Sequence, residues 1–207
     1  MNSTEARPQR LIIGISGASG AIYGVRLLEL LRDTPIETHL VVSKSALITV
    51  SHETGLSWSD LKPMASVCYS NQDIGAAIAS GSYKTLGMIV APCSMRSMSE
   101  IASGVTSTLL TRAADVILKE RRRLALMVRE TPLHRNHLRT MTELAELGAV
   151  IAPPVPAFYA LPKTLDDMVD HSLGRVLDLF DIELGIVRRW RDTDNGPGNT
   201  GVTHAAP

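Results

Sequence analysis

Aromatic side chains are scarce in this chain: two Trp, four Tyr and two Phe make up 4% of its 207 residues. Proteins that hold single-stranded nucleic acid need aromatic platforms for base stacking, so that class is disfavoured. An excess of either charge is missing too. Lys+Arg and Asp+Glu each number 21, giving zero net charge. The long-range positive field of a nucleic-acid or membrane-surface binder is therefore not expected. Only two cysteines are present, Cys68 and Cys93, without metal or redox spacing, and a reduced, cytoplasmic setting is expected. No apolar run approaches membrane-spanning length, and the opening MNSTEARPQR lacks the hydrophobic core of a secretory signal. No internal repeat is seen. These absences leave a neutral, single-domain chain with enough residues for a substantial core.

What is there centres on Arg10 to Gly24, RLIIGISGASGAIYG. Leu11, Ile12, Ile13 and Ile15 form a short, unalternating apolar run, the pattern of a strand buried on both faces of a parallel sheet. Small residues follow from Ser16 to Gly20, and from Ala21 the apolar Ile22, Val25, Leu27, Leu28 and Leu31 recur at helical spacing. Strand, glycine-rich turn and helix make the front of a βαβ unit. The helix start offers unpaired N–H groups and a positive dipole end suited to a phosphate, with Ser16 and Ser19 as added donors. A tight turn without ligand is the alternative on this stretch alone. The glycines read G-x-x-G-x-x-G rather than the dinucleotide fingerprint, and the next strand ends in Ser43-Lys44-Ser45 instead of a ribose-binding carboxylate. A mononucleotide such as FMN is favoured over NAD.

Further along, strands are expected at Leu11–Ser16, Glu37–Val42, Leu86–Ala91, Leu124–Val128 and Ala149–Ala152, with one short strand inside the aperiodic stretch 56–74. Helices are expected at Ala21–Arg32, from Ser45 to about Glu53, at Glu100–Ala102, Leu109–Lys119, Asn136–Leu147 and Leu165–Leu179. Residues 1–9 read as a flexible N-terminus, 10–191 as one domain, and 192–207, rich in Gly, Asn, Thr and Pro, as a disordered tail. The fold class that follows is α/β: a three-layer, Rossmann-like or flavodoxin-like parallel sheet. In such sheets ligands lie beyond the carboxyl ends of the strands. The unusual polar residues cluster there: Ser16 and Ser19, Ser43, Ser94 to Ser97, Arg129 and Glu130.

Arg129-Glu130 leaves a buried strand at that edge, as a structural ion pair or as an acid/base group held by a cation. By position alone, Glu53 reads as a solvated helix-end carboxylate and His52 as a surface residue. Arg112 and Lys119 share one helix face, ordinarily a solvated one. Tyr159 follows three prolines in four residues, on a stiff loop that can aim a hydroxyl. Arg175 interrupts an apolar helix face, where a cation needs a partner. Lys119, Arg129, Tyr159 and Arg175 are together what a second phosphate requires. With no carboxylate cluster for Mg²⁺, FMN plus a small phosphorylated substrate is the expected pair.

Several motifs then agree in order: GISGASGAIYG, SK after the second strand, HET, APCS, TRAADVILKERR, VRETPLH, GAVI, PPVPAFY and an Asp followed eight positions later by Arg-Val-Leu-Asp. Across residues 10–191 the chain resembles the UbiX-type flavin prenyltransferases, within the superfamily of FMN-dependent cysteine decarboxylases. The resemblance implies transfer of a dimethylallyl group from dimethylallyl monophosphate to N5 and C6 of reduced FMN, without a metal, for delivery to a UbiD-type decarboxylase. It implies Ser19, Glu53 and Glu130 as proton-handling groups, and Lys119, Arg129, Tyr159 and Arg175 on the donor phosphate. Gly17, Ala18, Ser19, Ser43, Ser94, Met95, Ser97, Arg112 and Arg129 would hold FMN. A homododecamer, with sites completed by neighbouring chains, is implied as well. Two alternatives stand beside it: FMN-dependent decarboxylation of a cysteine-type carboxylate, and non-catalytic delivery of FMN to a partner decarboxylase.

Overall fold

A computed structural model of the chain describes residues 8–190. Residues 1–7 of the expected flexible N-terminus and the tail over 192–207 lie outside the described residues, while Gln9 already belongs to the first strand. Six strands form one sheet: β1 (Gln9–Ile15), β2 (Ile36–Val42), β3 (Val67–Tyr69), β4 (Gly87–Cys93), β5 (Arg123–Val128) and β6 (Val150–Ile151). Every pairing is parallel and the order is β3-β2-β1-β4-β5-β6. That is the doubly wound Rossmann order, and it reverses direction between β1 and β4.

The helices are α1 (Ala21–Leu31), α2 (Lys44–Thr54), α3 (Trp58–Leu61), α4 (Met95–Ala102), α5 (Leu109–Lys119), α6 (Arg135–Glu146) and α7 (Leu165–Asp178). Two cores explain the layering. Leu11, Ile13 and Ile15 pack with α1, α2 and α7 on one face, while Ile12 packs with α4, α5 and α6 on the other. These four side chains are at most 1% exposed, which is why the run shows no alternation. Gly14 belongs to the second face, where a Cβ would press on Met88 and Val90.

The short strand expected within the aperiodic stretch is present, and three other features differ from expectation. The short strand of the aperiodic stretch is β3, a three-residue edge strand paired to β2 alone. β6 has two residues rather than four. α4 begins at Met95, five residues before the expected start, because the Ser94 hydroxyl accepts from the Ser97 N–H and caps it. The intervening loop also carries α3, held by a capping box between Ser57 and Asp60.

Candidate active site

The carboxyl edge of the sheet encloses a cleft of about 830 Å³ at the β1/β4 reversal. It is lined by Gly17, Ala18 and Ser19 after β1, Ser43 after β2, Ser94, Met95 and Ser97 after β4, and Arg129 and Glu130 after β5. Nine sequence-nominated residues thus meet in one place. Gly17 allows the closest approach: a Cβ there would collide with the Ser45 side chain. Ser43 caps α2 by accepting from the Ala46 N–H, 3.1 Å, and Ser94 caps α4, so two helix starts and their hydroxyls face the cleft.

The start of α1 is used differently. The Glu53 carboxylate, at the end of α2, accepts from the Gly20 and Ala21 N–H groups at 2.9 and 2.8 Å. Gly20 makes this turn in the left-handed region, with φ 96°. The expectation of a ligand phosphate at this helix start is therefore corrected: an internal anion holds those donors. Burial pushes the Glu53 carboxyl up, but the Ser19 hydroxyl, the Ala21 and Gly20 amides and the Arg129 charge outweigh it and hold it below the usual carboxylate range. Glu53 is exposed, as expected, but it is not free: its carboxylate is held by the start of α1, next in the chain to the cleft-lining Ser19.

Ser16 is also reassigned. It is fully buried, donates to the Pro92 carbonyl at 2.9 Å and accepts from the Ser94 N–H at 2.7 Å. Its hydroxyl ties β1 to the β4 exit and is unavailable to a ligand. Glu130 accepts from the Thr131 N–H at 3.0 Å while lining the cleft.

The other nominated cations do not converge in one chain. Arg112 pairs with Asp115 at 2.9 Å and is not among the cleft residues. Lys119 ends α5 beside Glu120, 2.6 Å away, near the amino end of the sheet where β5 begins. Tyr159 and Arg175 share a separate pocket of about 250 Å³ between the proline loop and α7, and Arg175 also pairs with Asp178 at 2.5 Å. Of the four expected phosphate ligands, only Arg129 lies in the cleft.

Sequence reasoning missed Asn71. It follows the edge strand, lines the cleft, and accepts from the Leu109 and Leu110 N–H groups through its carbonyl and side-chain oxygens, capping α5. Arg96 and Glu100, paired at 2.8 Å, line the cleft as well.

A parallel sheet in this order, with capped helix starts gathered at its reversal, defines an open α/β protein with one main binding cleft. The family model described as Flavoprotein matches residues 1–189. The flavin prenyltransferase UbiX of Salmonella typhimurium is 58% identical over 186 residues, covering 88% of this chain and 98% of that protein. Among solved structures, AnUbiX (PadA1) in complex with FMN and dimethylallyl pyrophosphate is 46% identical with a TM-score of 0.88, covering 93% of this chain and all of that one. A dodecameric FMN-dependent UbiX-like decarboxylase from Escherichia coli O157:H7 is 47% identical with a TM-score of 0.86, covering 88% of this chain and all of that one. The chain belongs to the flavoprotein family and, within it, to the UbiX-type flavin prenyltransferases.

Proposed function

We propose that this chain transfers a dimethylallyl group from dimethylallyl phosphate to N5 and C6 of reduced FMN, and that the prenylated flavin serves a UbiD-type decarboxylase. The cleft fits such a flavin: its volume lies in the range of small-molecule sites, and its lining is small side chains, hydroxyls and helix starts. With α1 closed by Glu53, the starts of α2 and α4, carrying Ser43, Ser94 and Ser97, are the places for the flavin phosphate. Reduced FMN, when bound, would supply the nucleophilic atoms.

The chain's own groups do the rest. Ser19 lines the cleft and its hydroxyl helps hold the Glu53 carboxyl below the usual range, so it is assigned to accept a proton at the cleft wall and relay it to that carboxylate. Arg129 adds its charge to the Ser19 hydroxyl and the Ala21 and Gly20 amides that keep Glu53 ionised, and gives the cleft a cation for the departing phosphate. Glu130, on the adjacent position, is a second acid/base group. Arg175, Tyr159 and Lys119 are assigned to the donor phosphate through assembly, each serving a neighbouring chain's cleft. The apolar side chains around Tyr159 support that arrangement: Val155, Phe158, Leu161 and Leu165 are all exposed in the single chain.

The observation that carries this reading is a cleft lined by Ser19, Arg129 and Glu130 in a chain 58% identical to a flavin prenyltransferase. Anaerobic incubation with reduced FMN and dimethylallyl phosphate, followed by mass analysis of the flavin, tests it. A gain of one five-carbon unit supports prenyl transfer. An unmodified flavin, with turnover of a cysteine-ended peptide instead, replaces it with decarboxylation.

A further inference from the structure

His171 lies in the wall of the smaller pocket and is 7% exposed. It precedes Arg175 by four residues on α7, so the two side chains share one helix face. Its Nε2 is 3.4 Å from the Tyr159 hydroxyl and 3.4 Å from the Arg188 main-chain carbonyl. The Tyr159 ring meets the imidazole edge-on, with centroids 5.6 Å apart. The carbonyl is within reach because Gly174 leaves α7 open there: a Cβ would meet Ile186 and Val187 of the segment that crosses the helix.

A carbonyl only accepts, so this contact requires the proton on Nε2. Two oxygens at equal distance then share one N–H as a three-centre bond, and Tyr159 is the acceptor of its half. The phenolic proton is left to point elsewhere. Within the pocket the other polar side chains are Arg175 and Ser172, and Ser172 already donates to the Met168 carbonyl at 2.8 Å. No carboxylate lines this pocket.

We infer that His171 is a positioning residue that makes Tyr159 a one-way donor toward an organic phosphate held by Arg175. The inference rests on the assignment of Tyr159 and Arg175 to the donor phosphate.

Two variants of the full-length oligomer test it. His171→Phe keeps a ring against Tyr159 and removes the N–H; His171→Gln restores an N–H donor. His171→Phe is expected to raise KM for dimethylallyl phosphate about tenfold, the scale of one hydrogen bond serving a charged ligand, with kcat and FMN affinity unchanged. His171→Gln should recover most of that loss, and in a Tyr159→Phe background His171→Phe should add nothing. The inference is overturned if Tyr159→Phe raises KM while His171→Phe does not, or if the two losses add. It is equally overturned if His171→Phe lowers the thermal midpoint and FMN affinity together and Gln gives no rescue. A silent Tyr159→Phe would instead remove the pocket from donor binding, and the role of His171 with it.

Discussion

The Glu53 carboxylate accepts from the Ala21 N–H, 2.8 Å, and with the Gly20 N–H it closes the first turn of α1. One group thus ties the end of α2 to the turn after β1. Replacing Glu53 by Gln should leave the fold intact and cost about 1 kcal/mol, as for a lost helix cap. Turnover should fall by about 10²-fold or more, read as prenylated flavin per unit time. The pH response has a definite sign. A carboxyl held low in the folded state stabilises above its unfolded value near 4.5, and that contribution is lost as pH falls through the lower folded value. Denaturant midpoints should therefore drop more for the parent than for Glu53→Gln between roughly pH 5 and 3.

Ser19→Ala removes the relay hydroxyl at the cleft wall but none of the capped helix starts. It is expected to bind FMN with parental affinity by fluorescence titration and to turn over about 10²-fold slower. Normal turnover takes Ser19 out of the proton path. Glu130→Gln should likewise fail to activate a partner decarboxylase; full activation would instead favour simple flavin delivery.

Arg175→Ala should weaken dimethylallyl phosphate far more than FMN, and equal losses would contradict the two-phosphate scheme. Because Arg175 lies outside the cleft of its own chain, subunit mixing gives a sharper measurement. At a dimethylallyl phosphate concentration too low for Arg175→Ala to turn over, mixed oligomers of Arg175→Ala and Glu130→Gln subunits should regain part of the activity. Hybrids as inactive as their parents would show that Arg175 does not serve a neighbouring cleft.

His39, on β2, is fully buried, with Nε2 3.0 Å from Glu37 and Nδ1 2.9 Å from the Tyr69 hydroxyl. Burial pushes its pKa down; Glu37 pulls it partly back and Arg10 opposes, so the net shift is below the ordinary 6.5. The unfolded chain takes up this proton first. Stability is therefore full above about pH 6.5 and declines as pH falls toward the lower folded value. Urea midpoints should show that slope in the parent and a flatter one in His39→Gln, whose overall stability is lower.

Gly17→Ala places a methyl group where the Ser45 side chain sits. The two loops must part, at a cost of about 1–3 kcal/mol. A lowered thermal midpoint with weaker FMN binding is the expected pair of results, with the Tyr159 pocket unaffected.

Much of this was legible in the residues themselves. β1 announced itself because a strand covered on both faces has no polar alternation, and Arg129-Glu130 because they end such a strand. The bounds of α5 were readable from apolar spacing alone. The edge strand β3 was harder, since three half-buried residues paired on one side carry little pattern. Glu53 was unreadable as a cap because its partners lie across a long-range contact, with no local trace at position 53. Ser16 misled for the same reason: its hydroxyl answers groups on another strand exit. His171 did leave a signal, one helical turn before Arg175, but a lone histidine on a mixed face does not stand out.

The closed start of α1 has a consequence for which nucleotides this sheet accepts. In a doubly wound domain a dinucleotide lays its diphosphate bridge against the first glycine turn. Here the Gly20 and Ala21 amides of that turn are already taken by the Glu53 carboxylate, a charge of the same sign as the bridge. The turn that most suggests a diphosphate has thus already spent its first two helix donors on a side chain of its own.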